Sequence, residues 1–187
     1  KFANLNFLME NIIDLNKEIT FETFKQQVLE DYKIIVTSRE ASLLGRREVL
    51  SGKAKFGIFG DGKELPQIAL AKVFQKGDFR SGYYRDQTFM MAINELTVKQ
   101  IFSGLYANTD IDEEPMSAGR QMGAHFNTPL LNNDGSWKKS IEYKNSSSDI
   151  SCTGSQMPRL LGLAQASKLY RKLNFKNSKD FTKNGNE

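Results

Sequence analysis

Between Asn108 and Ile150 the sequence stops repeating. Upstream of it, apolar residues recur at helical spacing. Within it, NTPLLNNDGSW and YKNSSSD bring together Asn, Ser, Gly and Asp with little period. So long a stretch without regular elements is unusual in a compact domain, unless it carries function or meets a partner. Any fold for this chain must accommodate that segment between helices.

The flanking stretches read as helices. From Thr20, a capping residue, the apolar positions Phe21, Phe24, Val28, Tyr32, Ile35 and Val36 follow a helical period, and the helix is predicted to stop near Gly52. A second helix is predicted over ELPQIALAKVFQKG, with Pro66 tolerated in its first turn and Gly77 ending it. A third covers Thr97 to Ala107, with Ile101, Leu105 and Tyr106 as its apolar stripe, and a last one begins at Gln156, where Gly162, Ala164 and Ala166 suit close packing. These apolar stripes are expected to form buried core. Residues 1–19 are read as a short helix, and the Asn/Lys-rich tail from Asn174 as a surface loop. Strands are scarce.

The chain has 187 residues, enough for one domain or a large part of one. Its net charge of +4 and pI of about 9.1 are mildly basic, but the cations are scattered over helix faces and no basic run is interleaved with aromatics. No nucleic-acid partner is therefore expected. Cys152 is the single cysteine, which excludes an internal disulfide and a Cys-based zinc cluster and suits a reducing compartment. No apolar run approaches the roughly 20 residues needed to span a bilayer, so no membrane role is expected.

Three short stretches carry polar groups that a core does not require. In GYYRDQ, Gly82 to Gln87, the Arg85 guanidinium suits a diphosphate, oriented by an acid; the alternative is an Arg–Asp surface pair. AGRQMGAHF, Ala118 to Phe126, holds the only histidine, His125, and a lone histidine is more often a hydrogen-bonded packing residue than a catalyst. DISCTGSQMP, Asp149 to Pro158, offers free backbone groups to a ligand or cation, or simply caps the last helix.

The order of these segments is more specific than any one of them. GYYRDQ, GRQMGAHF and ISCTGSQMP, preceded by SREASLLGRREVLSGKAKFGIFGDGKE, resemble the thiamine diphosphate-dependent decarboxylating component of 2-oxo acid dehydrogenase complexes. The similarity is to its alpha part, nearest the branched-chain type, and covers about residues 30–172. The resemblance implies that Tyr84 and Arg85 reach the cofactor, with Arg85 on its diphosphate. It implies that Ser151 and Thr153 present backbone groups to the aminopyrimidine ring. Ile150, Cys152, Ser155 and Gln156 match a monovalent cation (K⁺) site, although this chain is one residue shorter across that turn. His125 matches a histidine near the active-site entrance, in a catalytic role.

FGIFGDGKE, Phe56 to Glu64, looks at first like the GDG-to-Asn motif by which thiamine enzymes hold Mg²⁺, with Asn94 some thirty residues on. Its place upstream of GYYRDQ instead implies a tight turn and close helix approach, with Mg²⁺ ligands expected past residue 187. The resemblance implies an α/β fold, the three-layer thiamine diphosphate-binding architecture, present here as an incomplete, helix-dominated N-terminal portion. Residues 1–29 would form a helical extension and 30–187 the partial domain on the diphosphate side.

The implied activity is decarboxylation of a 2-oxo acid, branched-chain by flavour, with transfer of the acyl group to a lipoyl partner. The implied partners are a pyrimidine-binding, beta-like half, a lipoyl acyltransferase component and further copies of the chain, in a bacterial cytoplasm or a mitochondrial matrix. The isolated chain is expected to be inactive, to expose one apolar face, and to order residues 108–150 only in the full dimer with cofactor. The alternative function is a non-catalytic assembly module derived from such an enzyme.

Overall fold

Helix α1, Phe21–Leu50, starts where Thr20 takes an extended backbone and its hydroxyl accepts the Thr23 N–H at 3.2 Å. It ends at Ser51, whose N–H donates to the Arg47 carbonyl, and Gly52 follows in the left-handed region. Start and stop agree with the sequence. The buried face does not: Ser38, Ala41, Ser42 and Gly45 are buried, whereas Phe21, Phe24, Val28, Tyr32 and Val36 are exposed. Small residues let α1 approach its neighbours closely along its second half, and the first half, with its larger side chains, projects beyond the core. The helix also runs unbroken through residue 30, the expected domain boundary.

The computed structural model describes residues 19–173 and 176–182. The short helix expected over residues 1–19 lies outside the described residues, Ile19 apart.

Helix α2, Glu64–Val73, has Pro66 in its first turn as expected, but it ends before Phe74 rather than at Gly77. Phe74 turns into an extended conformation and packs edge-on against Phe89, ring centroids 5.1 Å apart. Gly77 instead leads toward a strand, its N–H donating to the Tyr143 carbonyl at 2.8 Å. Helix α3, Gln87–Ala92, is too short to leave a periodic signal, yet it carries Phe89 and Met90 into the centre of the core. Helix α4, Val98–Leu105, opens with a full capping box between Thr97 and Gln100. Ile101 and Leu105 are buried; Tyr106, expected in the same stripe, stays half-exposed because its hydroxyl donates to Glu48 at 2.7 Å.

The core gathers Ala71 of α2, Phe89 and Met90 of α3, Ile93, Leu96, Ile101 of α4, and Phe126 from the long connection. Truncating a buried aromatic such as Phe89 to Ala costs about 3–5 kcal/mol. A smaller cluster joins Ala54, Phe59 and Leu105.

Strands β1, Phe79–Ser81, and β2, Asn145–Ser147, pair in parallel, with Arg80 opposite Ser146. Parallel neighbours need a long crossover, and α3, α4 and residues 106–144 supply it. That last segment carries hydrogen bonds of its own. The Asn, Ser and Asp side chains that suggest a region awaiting a partner here satisfy its own backbone. Glu114, buried, accepts the N–H groups of Met116, Ser117 and Gly119, and the Asn145 amide donates to the carbonyls of Asp78, Ser140 and Tyr143.

Helix α5, Gln156–Leu173, buries none of its residues. Among the described residues a Cβ added at Gly162 would meet nothing within 4 Å, so the close packing expected there has no partner among them. The segment after it is more than a surface loop: Ser178 and Thr182 are buried, Arg171 donates to Thr182 at 2.9 Å, and Ser140 donates to the Phe181 carbonyl at 3.1 Å. The architecture is mixed and helix-rich, with a small two-stranded parallel sheet. Among the described residues no helix is long and apolar enough to cross a membrane.

Candidate functional site

Residues Tyr83 to Asp86 form a turn between β1 and α3. The Asp86 N–H donates to the Tyr83 carbonyl at 3.0 Å, and the Tyr83 N–H returns to the Asp86 carboxylate at 3.0 Å. The main chain of Arg85 within it is held from two sides. Gln67 of α2 donates to the Arg85 carbonyl at 3.0 Å and accepts the Phe89 N–H at 2.9 Å. From the other side Gly60 presses so close that a Cβ there would lie 2.2 Å from the same carbonyl oxygen.

That contact accounts for FGIFGDGKE. The Lys63 N–H closes a turn onto the Gly60 carbonyl at 3.1 Å, and Gly62 has φ +88°, where a side chain is disfavoured. Asp61 pairs with Arg46 at 2.5 Å, and the Gly62 N–H donates to the Glu64 carboxylate. Glu64, also gripped by Arg39 through two bonds, titrates at about 2, held low mainly by the Arg39 hydrogen bond despite its burial. The glycines serve a tight turn, as read from the sequence, while the close approach is to the Arg85 turn rather than to a helix.

The expected acid beside Arg85 is engaged elsewhere. Asp86 pairs with Arg80 at 2.8 Å, so neither the orienting acid nor the Arg85–Asp86 surface pair is realised. Arg85 forms no ion pair among the described residues within 4.0 Å; its guanidinium carbon lies 6.0 Å from the Tyr84 ring centroid, and its buried Nε has no partner. A half-buried guanidinium with an orphaned N–H suits an added anion such as a diphosphate.

Around it the structure gathers the other predicted residues. The hydroxyls of Tyr83 and Tyr84 stand 2.5 Å apart, and Tyr83 reaches the Thr153 hydroxyl at 3.2 Å. Thr153 and then Tyr84 make Tyr83 the more acidic phenol, while the bond to Tyr83 raises Tyr84. The Tyr84 ring stacks on His125 with centroids 6.2 Å apart, and His125 Nε2 meets the Ser151 hydroxyl at 2.5 Å. Tyr84, Arg85, His125, Ser151 and Thr153 thus form one cluster, drawn from three chain segments. Ala118 and Ala124, flanking GRQMG, both hold positive φ, a backbone cost that is typical of functional sites.

The cation set is arranged differently. The carbonyls of Ile150 and Cys152 converge on the Gln156 amide nitrogen, at 2.8 and 3.3 Å, and the Ser155 N–H donates to Cys152 at 3.1 Å. These oxygens already serve N–H donors, and Gln156 presents a donor where a cation needs an acceptor. As arranged, the group does not fit K⁺. Cys152 keeps an exposed, free thiol. Among the described residues no group of three or more His, Cys, Asp or Glu side chains converges to hold a metal.

Tyr83 and Asp149 lie inside the stretches GYYRDQ and DISCTGSQMP but have no role of their own in the sequence reading, and Arg80 gave no sequence signal. Arg80 and Asp149 are buried, 2.9 Å apart, on strands and turns whose pairing only the fold creates. Neither any protein-family model nor any curated protein matches this sequence.

Proposed function

We propose that this chain supplies the diphosphate-binding side of a thiamine diphosphate-dependent decarboxylating component of a 2-oxo acid dehydrogenase complex, of branched-chain type, on the three-layer α/β architecture of such enzymes. The observation that carries this reading is Arg85. Its main chain is fixed by Gly60 and Gln67, and its guanidinium has no carboxylate partner among the described residues within 4.0 Å.

When bound, the cofactor supplies an electron sink that allows a 2-oxo acid to lose CO₂ and its acyl group to reduce and acylate a lipoyl disulfide. Everything else is positioning. Arg85 neutralises and orients the diphosphate, and Tyr84 covers its guanidinium. The turn Ser151–Thr153, tied to Tyr83 through Thr153, offers its backbone to the aminopyrimidine. His125 is held between Tyr84 and Ser151; the reading assigns it to the entrance, where a ring nitrogen could pass or accept a proton. The reading assigns the Mg²⁺ ligands to residues outside those described, the ring-activating acid to a beta-like half, and acyl transfer to a lipoyl-bearing partner.

Calorimetric titration of the protein carrying this chain with thiamine diphosphate and Mg²⁺ tests the reading. Arg85→Ala should lower affinity on the order of 10- to 100-fold, the worth of charge-assisted bonds to an anion. Unchanged binding would remove Arg85 from the site. The second reading, a non-catalytic assembly module, is favoured by the exposed apolar faces of α1 and α5. A chain that joins its partners and binds no thiamine diphosphate in their presence would support it.

A further inference from the structure

Arg80 lies in the middle of β1 with its side chain 7% exposed, and its guanidinium touches both halves of the candidate site. Toward the tyrosine turn, its Nη2 donates to the Asp86 carboxylate at 2.8 Å and to the Tyr83 carbonyl at 3.2 Å. Toward the other half, its Nη1 donates to the Ser146 hydroxyl at 2.6 Å and stands 2.9 Å from Asp149, whose side chain is fully buried. Asp149 also accepts the Phe126 N–H at 3.0 Å, one residue from His125. The path of this guanidinium is reserved in the sequence: a Cβ at Gly82 would lie 1.8 Å from Arg80 Cζ.

We propose that Arg80 is the positioning residue of the site, a buried fork that fixes the Tyr83–Asp86 turn against the Ser146–Asp149 segment and so sets the register between Arg85 and the Ser151–Thr153 turn. Besides this fork, the two halves meet through the β1–β2 pairing and through single hydrogen bonds. The Ile150 N–H reaches the Gly82 carbonyl at 3.4 Å, Ser147 donates to the Arg80 carbonyl at 3.0 Å, and Tyr83 meets Thr153 at 3.2 Å. A planar guanidinium can serve both sides at once, whereas a lysine ammonium is a point charge that cannot span them. Buried ion pairs cost desolvation and contribute little net stability, so this group is better understood as fixing geometry. In the proposed function a ligand that bridges both halves depends on that register, and a ligand that needs only Arg85 does not.

The role of Arg80 in binding rests on the thiamine diphosphate reading; its role as a clamp does not, and the test separates them. Asp86 is 30% exposed on its side chain, so Asp86→Asn is a mild lesion at one end of the fork. Hydrogen–deuterium exchange of Asp86→Asn and Arg80→Lys should show faster exchange in peptides covering both 79–87 and 145–156, and unchanged exchange over 21–50. In the same variants, thiamine diphosphate affinity should fall about tenfold or more. Inorganic pyrophosphate should bind within about twofold of wild type, or more tightly in Asp86→Asn, where a negative charge beside Arg85 is gone. Exchange that changes only around residue 86, or rises everywhere alike, would overturn the clamp. Equal weakening of both ligands would overturn the register argument. If wild type binds neither ligand, the cofactor reading fails, and the exchange pattern still decides whether Arg80 couples the two segments.

Discussion

Asp86 gives its carboxylate to Arg80, six residues back along the chain at 2.8 Å, and not to Arg85 beside it. The turn that brings Tyr83 over Asp86 points the carboxylate inward, toward β1. Its neighbour is thereby left as a cation without a carboxylate partner among the described residues, beside a tyrosine pair of which Tyr83 reaches Thr153. The candidate site follows from this division of labour between two arginines.

Gly60 should tolerate no side chain. In Gly60→Ala the new Cβ would stand 2.2 Å from the Arg85 carbonyl, and backbone rather than a flexible side chain must give way. Overpacking of this kind costs about 1–3 kcal/mol, read as a lower midpoint in urea denaturation. Weaker pyrophosphate binding should accompany it. A variant with wild-type stability would show that the Gly60 turn and the Arg85 turn are not in contact as described.

Two buried acids should pull stability in opposite directions with pH. Glu64 ionises at about 2 in the folded protein against an ordinary 4.5, so its contribution is full above 4.5 and is lost as pH falls through about 2. The advantage of wild type over Glu64→Gln should therefore shrink on acidification across that window. Asp149 is pushed up to about 6 from 3.8, mainly by burial and against the attraction of Arg80, with Asp86 adding a smaller upward push. Here the folded state holds its proton more tightly than the unfolded one. From this group alone, stability declines as pH rises from 3.8 to about 6. Denaturation curves of Asp149→Asn should lack that decline; an identical pH profile would place Asp149 in water.

The two phenols should separate on titration. Thr153 and Tyr84 both favour the ionised form of Tyr83. Thr153→Val removes the larger of these influences, so the earliest-ionising tyrosine should move upward in an ultraviolet absorbance titration. No movement would mean that the Ser151–Thr153 turn does not touch Tyr83.

Exposed apolar side chains should make the chain associate. Met157 and Leu161 on α5 are 75% and 73% exposed, and Phe21 on α1 is 73% exposed. Patches of this kind mark interfaces more often than bare surface. Sedimentation velocity should show concentration-dependent association that Leu161→Glu together with Met157→Glu reduces. A monomer at all concentrations would count against an assembly role.

Much of the helical frame was legible. Thr20 and Thr97 mark helix starts because a short hydroxyl side chain can accept an orphan N–H, a local effect that needs no tertiary partner. The Gly60–Gly62 turn was legible for the same kind of reason. Which face of α1 is buried was not, because large apolar residues announce a stripe while close helix approach selects Ser38, Ala41 and Gly45. Helix α3 was missed, since six residues do not make a period.

By itself, the sequence determined the local events: where helices begin and turn, and which short polar segments, around Tyr84, Arg85, His125, Ser151 and Thr153, stand apart from the core. Only the tertiary structure decided the pairings. Arg80 of β1 meets Asp149 just beyond its partner strand β2, and His125 meets Ser151 beside the hydrogen bonds that Phe126 and Asp149 exchange. The physical reason is distance along the chain: a hydrogen bond or ion pair between remote segments has no periodicity to announce it, and it exists only once packing has brought those segments within about 3 Å.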